Sequence, residues 1–156
     1  MKLELKHLAG YLPYGLKITK EDWGKIFKMD NDGTTLNCIG IDYILNVNAK
    51  PILRPLLDLT KEIEVNREKF VPYIELAKKY AEISGYNEDI RIFRNKCYCY
   101  SESSEIEFRF NGRDFILNGK LVNAQHHLFL KLHEWHFDIY GLIEKGLAID
   151  INTINK

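Results

Sequence analysis

The hydrophobic positions change their spacing along the chain, and this change separates predicted helices from predicted strands. Over residues 72–83, apolar side chains recur at helical spacing behind an initial proline. A second run with helical spacing covers residues 122–137. From 89 to 117, apolar and polar residues alternate instead, which is typical of strands that bury one face. The pattern predicts two helices and a strand meander.

The first third of the chain consists of short apolar runs interrupted by glycine and proline. These residues limit any opening helix to a single turn, after which residues 16–19 are predicted to form a strand. A turn cluster at residues 30–33 separates an apolar run at 26–27 from a β-branched and apolar run at 34–41, which predicts a hairpin. This third of the chain is therefore predicted to be β-rich.

The segment before the first long helix is predicted to be extended and then briefly helical. Pro51 and Pro55 exclude a helix interior between them and favour a strand at the edge of a sheet. Asp58 follows at a predicted helix N-cap, with a short helix over residues 59–64.

The dipeptide Asn111-Gly112 lies between two alternating runs and predicts a two-residue hairpin turn, because both residues accept positive φ. Such a turn would place one apolar set on the buried face and a charged pair on the exposed face. The cross-strand pairs that it predicts are Phe110–Arg113, Arg109–Asp114, Phe108–Phe115 and Ile106–Leu117.

Together these elements predict an α+β protein with a single domain over residues 1–156. Antiparallel strands from the β-rich first third and from the 89–117 meander are expected to pack against helices at about 72–83 and 122–137. The length suits one domain that buries roughly two-thirds of its unfolded surface. Hydrophobic residues make up 46% of the chain and charged residues 28%, which excludes general disorder.

The charge balance ranks nucleic-acid binding below protein binding. The chain has 22 Lys+Arg against 22 Asp+Glu, whereas a protein that grips a phosphate backbone usually carries a basic excess. A local basic and aromatic strip keeps the alternative open. Arg94, Lys96, Tyr98 and Tyr100 alternate on one predicted strand, where cations and stacking would act together on single-stranded nucleic acid.

The cysteines predict a reducing compartment. Cys38, Cys97 and Cys99 cannot all pair within one chain, and the first residues lack the apolar core of a signal peptide. Cys97 and Cys99 would share one strand face, where two small buried residues explain them better than a zinc site, since no second cysteine pair follows. No run reaches the ~18 apolar residues of a membrane span, so no membrane partner is expected.

Four of the five histidines lie within residues 126–136. His133 and His136 have a spacing at which two imidazoles can share a metal, with His126 one to two turns away. The spacing is one residue short of HExxH, so a zincin-type hydrolase is not supported, and Asp138, Glu134 or a distant residue would have to complete a site. The preferred interpretation places the imidazoles at the polar border of a core helix. A metal-dependent enzyme using His126, His133 and His136 is the less favoured alternative.

Other catalytic motifs are missing from the sequence. It contains no GxxxxGK[ST], GxGxxG or GxSxG, so phosphate-cradling loops and nucleophile elbows have no support. No catalytic residue and no cofactor are therefore predicted.

The helix at 122–137 is apolar on two sides. One side carries Leu128, Leu132 and Trp135 and is predicted to face the core. The opposite side is predicted to be exposed and available to a partner. Its candidate interaction residues are Leu130, Phe137, His126 and His133.

Three stretches of the sequence carry a family resemblance. "YLPYGLKI" at 11–18, "KPILRPLLDLTKEI" at 50–63 and "EWHFDIYGLIEKGLAIDINT" at 134–153 resemble uncharacterised small proteins encoded by phages and prophages of Bacteroidetes. The resemblance spans the chain and transfers no activity or binding residue. It implies a protein in the cytoplasm of a bacterial host, made during infection or from an integrated element.

This resemblance implies that the protein acts by binding. Small accessory phage proteins without enzymatic motifs often bind a host or phage macromolecule, so a non-enzymatic protein-interaction module with a host or phage protein as partner is the leading hypothesis. A homodimer formed through the same helix face is allowed as well.

Overall fold

The computed structural model describes residues 2–30, 40–84, 89–100 and 104–154. It divides the chain into two compact units. Unit 1 contains Met1–Leu56 and Leu132–Lys156, and unit 2 contains Leu57–Lys131. Helices occur together with antiparallel sheets, so the predicted α+β class is confirmed. The prediction of a single domain stays a prediction.

The described elements are five α-helices and eleven strands, together with three short 3-10 helices. The helices are α1 (Leu5–Leu8), α2 (Ile41–Asn46), α3 (Pro72–Ser84), α4 (Gln125–Glu134) and α5 (Ile151–Ile154). The strands are β1 (Lys17–Thr19), β2 (Ile26–Lys28), β3 (Lys50–Leu53), β4 (Ile63–Val65), β5 (Glu68–Phe70), β6 (Asp89–Phe93), β7 (Lys96–Tyr100), β8 (Glu105–Phe110), β9 (Phe115–Leu117), β10 (Lys120–Leu121) and β11 (Ile149–Asp150). The 3-10 helices cover Leu12–Tyr14, Glu21–Trp23 and Leu56–Thr60.

Unit 1 contains a four-stranded sheet with the order β11-β3-β1-β2. β1 pairs antiparallel with β2 and β3, and β11 runs parallel to β3. The predicted edge position of the Pro51 segment is therefore wrong, because β3 has a neighbour on each side. The proline is tolerated inside the sheet since the ladder with β11 uses Ile52 and Leu53 and not Pro51.

The core of unit 1 is formed by apolar residues from the segments before and after unit 2 in the sequence. The single opening turn and the strand after it are confirmed as α1 and β1. The second arm of the predicted N-terminal hairpin falls largely on residues 31–39, outside the described residues, and Ile41 begins α2 instead of ending a strand. The fully buried members of this core include Leu8, Tyr11, Leu16, Ile18, Met29, Ile44, Leu53 and Leu142.

Unit 2 contains a five-stranded antiparallel meander with the order β10-β9-β8-β7-β6. The meander predicted for 89–117 is confirmed, and β10 extends it by one strand. One face is covered by α3, whose Tyr73 and Tyr80 rings lie 6.2 and 6.4 Å from the Phe108 ring. Phe129 of α4 packs on the same face, 5.5 Å from the ring of Phe115. Alternation leaves the other face of the sheet towards solvent.

The hairpin between β8 and β9 has a longer loop than the sequence predicted. Phe110 pairs with Phe115, and the side-chain oxygen of Asn111 accepts hydrogen bonds from the backbone nitrogens of Arg113 (2.9 Å) and Asp114 (2.7 Å). The predicted two-residue turn is therefore wrong, because the Asn111 side chain holds a four-residue loop. The register differs from the predicted one by two residues, so the side chains predicted to be buried still point to the covered side of the sheet. The observed pairs are Phe108–Leu117, Arg109–Ile116 and Phe110–Phe115.

Two other hairpins turn through residue pairs without glycine. Asn66 and Arg67 join β4 to β5, and Arg94 and Asn95 join β6 to β7, all four with positive φ. Such turns match the twist of antiparallel strands. The short helix predicted over 59–64 is wrong, because the 3-10 helix ends at Thr60 and β4 then pairs with β5.

The last long helix is shorter than its hydrophobic pattern predicted. α4 covers Gln125–Glu134 within the predicted 122–137, and its final residues belong to unit 1. Leu128, Leu132 and Trp135 are buried, as the helical wheel predicted. No helix in the described ranges has the length and apolar character needed to cross a membrane.

Candidate functional site

Tyr11 lies at the centre of a group of aromatic and imidazole rings in unit 1, here called the Tyr11 cluster. Its ring centroid lies 4.9 Å from the ring of His133, 6.3 Å from that of His136 and 6.5 Å from that of Tyr140. The ring of Tyr140 in turn lies 5.8 Å from that of His7. The cluster therefore joins α1 to the segment that ends α4.

The phenol of Tyr11 is a structural hydrogen-bonding group. Its hydroxyl donates to the carbonyl oxygen of Phe137 (2.7 Å) and accepts from the backbone nitrogen of Ile139 (3.4 Å). Burial raises the pKa of Tyr11 far above its ordinary value, although the hydrogen bond from Ile139 opposes this. The phenol thus stays protonated and cannot act as a base near neutral pH.

His133 packs directly against Gly10. A Cβ atom added at residue 10 would overlap Nε2 of the His133 imidazole. Glycine is therefore required here by space and not by backbone conformation. The sequence pattern marks Gly10 only as a helix breaker, because its partner lies 123 positions later and cannot be recognised from local spacing.

His136 occupies the position that ends α4. Its backbone nitrogen donates to the carbonyl oxygen of His133 (3.0 Å), and that of Phe137 donates to the carbonyl oxygen of Leu132 (2.9 Å). This is the Schellman pattern, and His136 takes the left-handed φ of 57° that glycine usually supplies. The helix therefore stops before the Phe137 that the sequence placed on it.

The imidazole of His136 is neutral at pH 7. Burial, the largest cause, and the charges of Lys17, Arg54, Lys28 and His133 together lower its pKa to about 4. Its Nε2 atom is buried and has no hydrogen-bond partner among the residues that the structure describes. Leaving such an atom unpaired costs free energy, so this ring is a candidate functional group.

The segment around His136 is fixed by main-chain hydrogen bonds to Arg54, the residue that follows β3. The backbone nitrogen of Arg54 donates to the carbonyl oxygen of His136, and that of Asp138 donates to the carbonyl oxygen of Arg54, both at 2.8 Å. The buried Asp138 carboxylate accepts the backbone N–H groups of Leu142 and Ile143, each at 2.8 Å. Both of its oxygens thus hold the following turn, which argues against Asp138 as the ligand that would complete a metal site.

The histidines of the metal alternative are placed differently from one another. His133 and His136 both contact the ring of Tyr11, whereas His126 is exposed and its ring lies 5.8 Å from that of His127. Within the described ranges, no group of three His, Cys, Asp or Glu side chains is arranged to hold a metal ion. His7, which has no neighbouring histidine in the sequence, is the third imidazole of the Tyr11 cluster, through its contact with Tyr140.

The predicted interaction surface on the last helix is not continuous. Leu130 is 39% exposed and His126 is exposed, but Phe137 is fully buried. The prediction that Phe137 is an exposed contact residue is wrong, because it lies beyond the end of α4 and forms a parallel bridge with Arg54. His133 is half-buried against Gly10 and Tyr11.

A second candidate site is the solvent-facing side of the five-stranded sheet, here called the outer face. Cys97 and Cys99 point to the covered side, so the residues between them and their register partners point outward. Phe93 is 58% exposed and Leu121 is 66% exposed. The outer face consists of Asp89, Arg91, Phe93, Lys96, Tyr98, Tyr100, Glu105, Glu107, Arg109, Ile116 and Leu121.

The structure changes the membership of the predicted basic and aromatic strip. Lys96, Tyr98 and Tyr100 lie on β7 as predicted, but Arg94 lies in the turn and its guanidinium is 5.1 Å from the Phe93 ring. The structure instead places Arg91 over the ring of Tyr100 at 5.5 Å. Asn95 is the residue from which this turn could have been predicted, since asparagine readily adopts positive φ.

The charges on the outer face compensate one another. Arg91 forms an ion pair with Asp89, and the Lys96 ammonium lies 3.3 Å from the Glu107 carboxylate. Arg109 and Glu105 add one further charge of each sign. The outer face therefore has aromatic groups and arginine without a basic excess.

The two described cysteines belong to the covered side of the sheet. Cys97 is fully buried, and its Sγ lies 3.7 Å from the carbonyl oxygen of Tyr73. Burial raises the pKa of the Cys97 thiol, with Cys99 acting in the same direction. Cys97 is therefore a packing residue, and Cys38 lies outside the described residues.

Comparisons with known proteins assign no function to this chain. No family model matches the chain, and no curated protein or solved structure matches it either. The two candidate sites must therefore be weighed by their chemistry alone.

Proposed function

We propose that this protein is a non-enzymatic interaction module that binds another protein through the outer face. The observation that carries the proposal is the group of Phe93, Tyr98, Tyr100 and Arg91 on one exposed sheet surface. Aromatic side chains and arginine are enriched where proteins make their energetically important contacts. In line with the family resemblance, the partner is a host or phage protein in the bacterial cytoplasm.

The pairing of charges on the outer face favours a protein over a nucleic acid. Arg91 and Lys96 already have carboxylate partners in Asp89 and Glu107. Binding a phosphate backbone would leave these carboxylates close to further negative charge. A protein surface with charges of both signs can offer each of these side chains a new partner of opposite charge. We therefore infer a partner whose surface carries both acidic and basic groups and can pack against aromatic rings.

Nucleic-acid binding through the same face is the second candidate function. It is supported by the Tyr98 and Tyr100 rings, whose centroids lie 6.4 Å apart, and by the guanidinium of Arg91 over Tyr100. Bases can stack on such rings. Its affinity would fall steeply with salt, whereas binding through apolar and paired groups would change little.

Site-specific cross-linking in the native host tests the proposal. A photoreactive phenylalanine analogue is placed at residue 93, and the control carries it at Tyr43, which is 54% exposed in unit 1. We expect one protein to cross-link at position 93 and not at position 43. Binding of that purified protein should then fall at least tenfold in Phe93→Ser and stay unchanged in Tyr43→Ser.

Other cross-linking results decide against the proposal. The same products from both positions, or none from position 93, would show that the outer face is not the contact surface. Cross-links to nucleic acid would favour the second candidate, and cross-links to another copy of the chain would identify a homodimer. Loss of binding in Leu130→Ala but not in Phe93→Ser would return the surface to α4.

A further inference from the structure

The sheet of unit 1 carries two like charges in direct opposition. Lys17 of β1 is the register partner of Lys28 of β2, and both side chains are exposed. Like charges placed directly opposite destabilise an antiparallel pair. Neither lysine forms a salt bridge with a carboxylate in the part of the chain that the structure describes. An anion between the two ammonium groups would turn this repulsion into attraction.

Arg54 adds a third cation on the same side of the sheet. The register of β1 with β3 pairs Thr19 with Lys50 and Ile18 with Pro51, and continuing this register by one position places Lys17 opposite Ile52. Paired residues share a face, and side chains two positions apart along a strand share it too. Arg54 therefore lies diagonally from Lys17, with Lys28 on the far side of Lys17.

His136 lies at the border of these three cations. Its carbonyl oxygen accepts the hydrogen bond from the backbone nitrogen of Arg54. The charges of Lys17, Arg54 and Lys28 all act on its ring and, after burial, lower its pKa. Positive charge from three separate segments thus acts on one buried imidazole nitrogen, which has no hydrogen-bond partner among the described residues.

The Lys28 side chain packs against Gly15. A Cβ atom added at residue 15 would overlap Cε of Lys28, so the lysine stem lies directly over the glycine. Gly15 also has a left-handed φ of 67°. A larger residue would therefore be unfavourable both for its backbone conformation and for its overlap with Lys28. A stem held in this way loses less conformational freedom when its ammonium group binds a ligand.

We propose that Lys17, Lys28 and Arg54 form a binding site for a phosphate-bearing small molecule, with the His136 ring at its border. A phosphate monoester carries about −1.5 to −2 charges at pH 7 and can be shared by several cations. The guanidinium suits two phosphate oxygens at once, whereas each lysine acts as a point charge. This site is separate from the outer face and independent of the function proposed for it.

Phosphate binding and protonation of His136 are coupled in this arrangement. Negative charge nearby favours the imidazolium form, so bound phosphate raises the pKa of His136 from about 4. By reciprocity, protonation of His136 strengthens phosphate binding, whereas the phosphate itself loses charge as the pH falls below its own pKa of about 6. The charged or titratable groups that face the ring are Lys17 on β1, Lys28 on β2, Arg54 after β3, His133 on α4 and Tyr11.

The test follows the His136 ring by NMR while inorganic phosphate or adenosine monophosphate is added at constant ionic strength, with acetate and chloride as reference anions. The variant His136→Asn assigns the signal. We expect a saturable change with both phosphates and an upward shift of the His136 pKa. Tighter binding of adenosine monophosphate would identify a nucleotide ligand, and equal binding would identify the phosphate group alone.

Variants that remove one lysine charge test whether phosphate binds at this site. Lys17→Gln and Lys28→Gln should each weaken phosphate binding by about five- to tenfold, roughly the effect of losing one charged contact. Lys120→Gln, which removes an exposed lysine from unit 2, should leave binding unchanged. Without phosphate, Lys28→Gln should unfold at a higher temperature than the natural chain, because the repulsion from Lys17 is gone.

Three results overturn the proposal. The first is a His136 signal that does not change, or that changes linearly and equally with all anions. The second is an equal loss of phosphate affinity in Lys120→Gln and Lys17→Gln. The third is a Lys28→Gln variant that binds phosphate as the natural chain does, since the thermal unfolding curve shows independently that the variant is folded.

Discussion

The hydroxyl of Tyr11 donates a 2.7 Å hydrogen bond to the carbonyl oxygen of Phe137, which lies 126 positions later in the chain. This bond ties the turn after α1 to the segment after α4 inside the buried part of unit 1. The same carbonyl also accepts the backbone N–H of Ile139 at 2.9 Å. The Tyr11 ring thereby fixes where the chain leaves α4.

Removing this hydroxyl should destabilise the protein moderately. In Tyr11→Phe the carbonyl of Phe137 keeps the hydrogen bond from Ile139, so we expect a loss of about 1 kcal/mol in the free energy of unfolding. Urea unfolding measures the loss. Tyr43→Phe, at a side chain that is 54% exposed, is the control and should change stability by less than about 0.5 kcal/mol. Equal values for the two variants would contradict the structural role of the Tyr11 hydroxyl.

The contact between Gly10 and His133 should appear as coupling between two substitutions. Gly10→Ala forces a Cβ atom into the imidazole and should cost about 1 to 3 kcal/mol, as overpacking does. In the presence of His133→Ala the same change should cost at least about 1 kcal/mol less, because the ring is gone. Gly40→Ala is the control, since nothing lies within 4 Å of a Cβ atom there. Additive effects at Gly10 and His133 would show that the contact does not exist.

Stability should depend on pH through His136. Its folded pKa of about 4 lies below the ordinary value of 6.5, so the unfolded chain binds a proton more readily. The stabilisation is complete above pH 6.5 and is lost as the pH falls towards 4. At about 1.4 kcal/mol per pH unit, the loss reaches up to about 3 kcal/mol.

The variant His136→Asn isolates this contribution. Asparagine does not titrate in this range and tolerates the left-handed φ of the position. We expect its unfolding free energy to fall less between pH 6.5 and 4 than that of the natural chain. His126→Asn, at an exposed position on α4, should keep the full pH dependence. Parallel pH profiles for the natural chain and His136→Asn would contradict the assignment.

The β8–β9 loop should depend on the side chain of Asn111. Asn111→Ala removes the acceptor for two backbone N–H groups and should cost about 1 kcal/mol. Asn111→Asp keeps an oxygen in the same place and should retain most of the stability. Urea unfolding of both variants is the measurement. If alanine and aspartate behave alike, the loop is not held by this side chain.

Cys97 should be protected from alkylation in the folded protein. Its thiol is buried and its pKa is raised, so the reactive thiolate is scarce and inaccessible. A short pulse of iodoacetamide followed by peptide fragmentation should find Cys97 unlabelled in buffer and labelled in concentrated urea. Rapid labelling in buffer would show that the covered side of the sheet is open.

The sequence predicted the elements whose signal is local and periodic. α3 and the meander were predictable because their spacing persists over many residues, and the buried face survives a register change of two. Turn geometry was less accessible: the Arg94-Asn95 turn was missed and the Asn111 loop was predicted two residues too short. Asn95 shares the positive φ of its turn with Arg94, whereas the side chain of Asn111 holds its loop by two hydrogen bonds.

The candidate sites were harder to predict, because they depend on contacts between distant positions. Gly10 with His133, and Lys17 with Lys28, become neighbours only when the strands and the end of α4 are in place. The exposed position assigned to Phe137 failed for a related reason. Helical spacing continued through it, but a histidine in the left-handed conformation ended the helix first.

Unit 1 takes its strands from both sides of the segment that forms unit 2. During synthesis, β3 leaves the ribosome long before β11, and the whole of Leu57–Lys131 is made in between. The sheet of unit 1 can therefore be completed only after all of unit 2 has been synthesised, when every strand of the meander is already present. A nascent chain that ends at Lys131 and continues into a linker long enough to span the ribosomal exit tunnel should display all of unit 2 together with a first unit that lacks β11.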